Sequence, residues 1–147
     1  MNLQKYLNIS VFKMNRINYA RLGRINFALD PENALVLNMK YSPILKDFKH
    51  IPEIYELICK AYPDYEQFDR QVLIAACIYQ LYCPASLIAG RCQNAPAGMR
   101  KVVAELLGYE NGTNINYWQD KARAFVKGRR FNDKIKGIVN HFENLAA

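Results

Sequence analysis

From Gln71 to Gly90 the chain carries no charged residue, and the stretch DYEQFDRQVLIAACIYQLYC, residues 64–83, passes from a polar opening to an apolar run on every side. A helix that is apolar all round must be covered all round, by protein or by lipid. Gln80 and Ser86 interrupt the run, and Pro84 ends it short of the roughly 20 apolar residues that span a bilayer. The pattern therefore predicts a buried central helix over 64–83, opened by a capping-box-like pair, Asp64 and Gln67, and it argues against a membrane span.

The flanking pattern is also helical. Ile51, Ile54, Tyr55, Ile58 and Tyr62 recur at helical spacing, with Pro52 at the start and Pro63 past the end. Asp30-Pro31-Glu32 is a helix start by chemistry: Asp caps free backbone N–H groups, Pro fits the first helical position and Glu suits the positive end of the helix dipole. That helix runs to about Met39, before Tyr41-Ser42-Pro43 breaks the pattern; the competing reading makes DPEN the turn of a hairpin between INFAL and ALVLN. After Pro84, ASLIAGRCQN makes one or two short turns, and Asn94-Ala95-Pro96 starts the next helix. A last helix, opened by Asn132, turns Ile135, Ile138, Val139, Phe142 and Leu145 inward and Lys134 and Lys136 outward.

Between these, Ala97 to Gly128 reads as two helices joined by a tight turn. Met99, Val102, Val103 and Leu106 form one apolar face, and Gly108 supplies a left-handed stop. Ile115, Trp118, Ala122 and Phe125 face the core from the second helix, which Gly128 ends. This is the plan of a helix-turn-helix, with a small residue (Ala104) where the helices cross, a glycine (Gly108) in the turn and a β-branched residue (Ile115) early in the second helix. The expected fold is all-α: a compact helical bundle around the central helix, with a helix-turn-helix-like C-terminal half.

The first 29 residues are basic and apolar at once. Ile17, Leu22, Ile25 and Leu29 fit a basic amphipathic helix, whereas YLNISVF alternates like a short strand or extended arm. The expected organisation is an N-terminal arm or helix over 1–29 and a single helical domain over 30–147, in keeping with 147 residues at 51% hydrophobic composition.

Charge sharpens this picture. The net charge is +7, but residues 1–29 hold five Lys/Arg and no acid, residues 30–90 hold five against eight acids, and residues 91–147 hold ten against five. Two basic ends flank an acidic middle, which suggests an anionic partner such as nucleic acid.

Catalytic chemistry is harder to find. Cys59, Cys77, Cys83 and Cys92 lie in or near apolar helical sequence without the paired spacing of zinc sites, so they read as buried free thiols. His50 and His141 stand apart from any ligand set and read as surface or helix-end residues. Glu53, Glu56, Asp64, Glu66 and Asp69 suit caps and solvent faces better than a carboxylate pair. With no nucleophile and base, no phosphate loop and no metal set, the reading is a non-enzymatic protein without cofactor. The start of the chain lacks an apolar signal segment, which points to a reducing cytoplasm.

The exposed side of the second helix of the pair, by contrast, suits a nucleic-acid surface. Asn114, Asn116 and Gln119 can hydrogen-bond base edges, and Tyr117, Lys121, Arg123 and Lys127 can reach sugar or phosphate. Arg129 and Arg130 continue this surface, and Arg100 and Lys101 add to it from the first helix. The segment VVAELLGYENGTNINYWQDKA resembles the helix-turn-helix of the C-terminal DNA-binding domain of the bacterial replication initiator, a resemblance that covers about Arg100 to Lys121. That resemblance implies a helix-turn-helix fold and a docking mode led by Thr113. Where that family has an acidic residue, a histidine and two threonines, this chain has Asn111, Gly112, Thr113 and Asn114, and the family's nucleotide-binding module has no counterpart here.

Two functions are thus expected. One is a small basic helical protein that binds nucleic acid through its helix-turn-helix-like unit. The other is a structural subunit of a larger assembly, such as a phage virion ring, neck or connector protein, whose residues 1–29 grip a neighbouring subunit.

Overall fold

The computed structural model describes residues 24–89 and 95–146. The expectations placed on residues 1–23 and on residues 90–94, Cys92 and Asn94 among them, lie outside the described residues. The chain divides into two units, residues 1–40 and residues 41–147. Among the described residues every regular element is helical, and the fold is all-α.

In the first unit, residues 24–29 are helical and α1 spans Pro31–Lys40. The start is the predicted one, because Asp30 Oδ1 accepts from the Asn33 N–H at 3.2 Å and Pro31 takes the first helical position. Asp30 N donates to Asn26 O at 2.8 Å and Ala34 N to Asp30 O at 3.0 Å, carrying helical bonding through the junction. The hairpin alternative is therefore excluded.

The second unit is built on the central helix. A single 3-10 turn, Phe48–His50, leads into α2, Ile51–Ala61; α3 follows as Gln67–Tyr82, then a short α4, Ser86–Ala89. The pair α5, Met99–Leu107, and α6, Thr113–Phe125, precedes α7, Arg129–Ala146. Helices α2, α6 and α7 all pack on α3. From Gln71 to Tyr79 every residue of α3 is buried, as are Leu81 and Tyr82, which is what an uncharged helix with no polar face requires. The predicted cap differs: α3 begins at Gln67 behind Glu66, with no side-chain cap, and Tyr62 to Tyr65 form the preceding turn.

Two polar devices hold the unit's edges. Ile44 N and Leu45 N both donate to Leu81 O, at 2.8 and 3.0 Å, fixing the incoming segment to the end of α3. The Tyr82 hydroxyl donates to Asp47 O at 2.5 Å, while Asp47 Oδ1 caps the 3-10 turn by accepting from Lys49 N at 2.9 Å. His50 sits at the head of α2 as expected of a helix-end histidine, with Nδ1 3.2 Å from Glu53 Oε2 and its ring against Phe142.

In α7 the inward set Ile135, Ile138, Val139 and Phe142 is buried as the spacing predicts, but the helix starts at Arg129, before Asn132. Leu145, expected to face inward, is instead 59% exposed. Among the described residues no helix is long and apolar enough to cross a membrane.

Candidate nucleic-acid interface

The turn between α5 and α6 follows from its glycines. Gly108 adopts φ +80, a region that costs an L side chain, and ends α5. The Gly108 N–H donates to Glu105 O at 3.3 Å and the Tyr109 N–H to Ala104 O at 2.8 Å, the paired bonds of a Schellman stop. At Gly112 the chain meets α5 again: a Cβ there would lie 3.1 Å from Arg100 Cβ. Asn111 Oδ1 accepts from Thr113 N at 3.0 Å, satisfying a free donor at the head of α6. Ala104 and Ile115 are both buried, at the positions expected of a close-crossing pair.

Tyr109 then ties this turn to the core. Its hydroxyl accepts from Trp118 Nε1 at 2.9 Å and donates to Gln71 Oε1 at 3.3 Å. With Ile115, Trp118 and Ala122 buried, α6 has one fixed face against α3 and one face left to solvent.

The sequence-predicted contact residues divide on this frame. Arg100, Lys101, Asn114, Tyr117, Arg123, Lys127, Arg129 and Arg130 are exposed, and Lys121 is half-buried with Nζ 5.3 Å from the centre of the Tyr117 ring. Gln119 is a correction. It is 4% exposed, on the buried side of α6 beside Trp118, so it cannot reach a base edge. Asn116 is half-buried, and its Oδ1 accepts from Arg100 Nη1 at 3.0 Å. Of the three amides expected to read bases, Asn114 alone is fully presented.

Lys134 is a second correction. Rather than pointing freely outward, it donates to the Tyr65 hydroxyl, and its Nζ lies 4.8 and 5.4 Å from the centres of the Tyr65 and Tyr62 rings. Stacking of Tyr62 on Tyr65, 4.8 Å apart, makes an aromatic face that attracts a cation.

An aromatic cluster, by contrast, appears where the sequence suggested only core. Phe125, expected to face inward, is 39% exposed. Its ring packs edge-on to Phe131 at 5.5 Å and to Phe68 at 6.1 Å, and Phe68 reaches Trp118 at 5.6 Å. Two adjoining hollows share Phe125, Arg130 and Phe131. The larger, about 590 Å³, is completed by Ala124, Gly128 and Arg129; the smaller, about 350 Å³, by Tyr65, Asp69 and Lys134. Among the described residues Arg123, Lys127, Arg129 and Arg130 make no ion pair.

No cluster of His, Cys, Asp and Glu among the described residues could hold a metal ion. Cys59 and Cys77 are free thiols, Cys59 half-buried rather than buried, and burial pushes Cys77 well up from its ordinary pKa. Compared with protein-family models, curated proteins and solved structures, the chain matches none.

Proposed function

We propose that this chain is a non-enzymatic nucleic-acid-binding protein whose contact surface is the outer face of α6 and the α6–α7 corner. One observation carries the reading: Arg123, Lys127, Arg129 and Arg130 are all exposed, and none is neutralised by a carboxylate among the described residues. Clustered unpaired cations on a rigid element favour a polyanion, because each phosphate neutralised releases a condensed counterion. Arg100, Lys101 and Lys121 extend the same charge along α5 and α6. The helix-turn-helix resemblance is compatible with this face being the docking side, with Thr113 and Asn114 leading. The test is titration of a labelled oligonucleotide at about 50 mM salt, where screening is weak. Binding that collapses when Arg123, Lys127, Arg129 and Arg130 are changed to Gln supports the proposal; absence of binding overturns it.

A second reading is favoured by a different observation. In the first unit Ile25, Phe27, Leu29, Leu35, Val36 and Met39 are all more than half exposed, and this many exposed large apolar side chains suit contact with protein. Under this reading the chain is an assembly subunit whose N-terminal region grips a neighbour. Size measurement before and after deletion of residues 1–29 tests it: an oligomer lost on deletion supports the assembly, and an unchanged monomer counts against it.

A further inference from the structure

We infer that the groove at the α6–α7 corner seats an unstacked base of single-stranded nucleic acid, which makes single strands rather than duplex the substrate class of the proposed interface. This rests on the reading of the basic face above.

The outer face of α6 offers little for reading a duplex. Of the three α6 amides that could read base edges in a major groove, Gln119 is buried and the Asn116 oxygen is occupied by Arg100, which leaves Asn114 alone. What the corner offers is aromatic surface. Phe125 and Phe131 sit 5.5 Å apart at an interplanar angle of 61°, so a flat ring laid on one face meets the edge of the other, the arrangement aromatic groups prefer. The adjoining hollows, about 590 and 350 Å³, lie within the size range of small-ligand sites. A base paired and stacked in a duplex shows only its edge, whereas an unstacked base presents the face that a phenyl ring binds.

Charge sets the direction of the chain. Arg129 and Arg130 line the larger hollow and can meet phosphate, and Asp69 lines the smaller one, where it repels phosphate and can accept N–H groups of a base. Lys134, held on the Tyr62 and Tyr65 rings, borders the same hollow and balances Asp69. A base therefore lies on the exposed part of Phe125, beside Phe131, with its phosphates towards the two arginines.

The experiment compares labelled oligothymidylate of about 12 nucleotides, within the usual footprint of single-strand sites, with a duplex of the same length, using the full chain. The single strand should bind more tightly. Phe125→Leu, which keeps apolar volume but removes the stacking face, should weaken it about tenfold, as expected for one lost stack, without altering the salt slope; Phe125→Tyr should restore binding. An iodouracil-substituted strand should cross-link to the wild-type chain within residues 124–131, a readout independent of any variant's stability. Equal affinity for duplex, unchanged binding by Phe125→Leu, or cross-links elsewhere would overturn this inference and leave the basic-face proposal standing. Failure of the wild-type chain to bind either form would overturn both.

Discussion

Trp118 Nε1 donates to the Tyr109 hydroxyl at 2.9 Å, and this one bond joins the α5–α6 turn to the helix that carries the candidate surface. The same hydroxyl reaches Gln71 Oε1 on α3, so three elements meet at one oxygen. Trp118 and Gln71 are nearly closed to solvent, at 8% and 7% exposure. Tyr109→Phe should leave both without their partner and cost about 1–3 kcal/mol, read as a lowered midpoint in urea with an unchanged slope. A shift under about 0.5 kcal/mol, within the range of ordinary surface changes, would mean that water replaces the hydroxyl.

The central helix should be the largest single source of stability. Ile74 and Ile78 are fully buried on α3, and truncating either to Ala should cost roughly 2–5 kcal/mol through lost apolar burial and the cavity left behind. Denaturant unfolding of the two variants measures this directly. Losses below about 1 kcal/mol at both sites, well under that range, would remove α3 from its place as the core.

At Gly108 the test is conformational. Nothing lies within 4 Å of a Cβ added there, while its φ is +80, so Gly108→Ala meets backbone strain alone and should cost about 1 kcal/mol. Thermal unfolding reports it. A neutral result would mean that the α5–α6 turn relaxes without strain.

Alkaline pH should destabilise the fold in a defined window. Burial pushes the Tyr79 hydroxyl up to about 12 from an ordinary 10.0, with a smaller opposing pull from Arg100, and it has no hydrogen-bond partner among the described residues. Burial raises Tyr82 to about 12 as well, and Asp47 and Glu53 add to it. The unfolded phenols lose their protons first, so stability is fully present below about pH 10 and is lost as pH rises towards 12. Tyrosinate absorbance followed together with circular dichroism should show these two phenols ionising only as the helices melt; their ionisation in the folded protein would contradict the burial.

These tests bear on parts of the molecule that differ in how clearly the sequence declares them. The α3 core was legible because the lack of charge from Gln71 to Gly90 leaves no face for solvent, and the Asp30 cap and Gly108 stop were legible because each rests on local backbone chemistry. Periodicity failed where coverage depends on distant elements. Leu145 has the spacing of a core residue yet is 59% exposed; Gln119 is polar yet only 4% exposed. The basic cluster could be read directly from residues 121–134. The aromatic groove could not, since Phe68, Phe125 and Phe131 come from three helices and Phe125 has the spacing of a core residue. Lys134 likewise looked like a solvent residue until Tyr62 and Tyr65, far away in sequence, were brought beneath it.

The central claim, that an unpaired basic surface binds a polyanion, is tested most directly by the salt dependence of oligonucleotide affinity. The logarithm of the binding constant should fall linearly with the logarithm of salt concentration. Changing Arg123, Lys127, Arg129 and Arg130 together to Gln should flatten that line by up to about 2.8 for a single strand or about 3.6 for a duplex, each lost phosphate contact removing about 0.7 or 0.9. A slope identical in the wild-type chain and the fourfold variant, or no measurable binding at about 50 mM salt, would contradict the account.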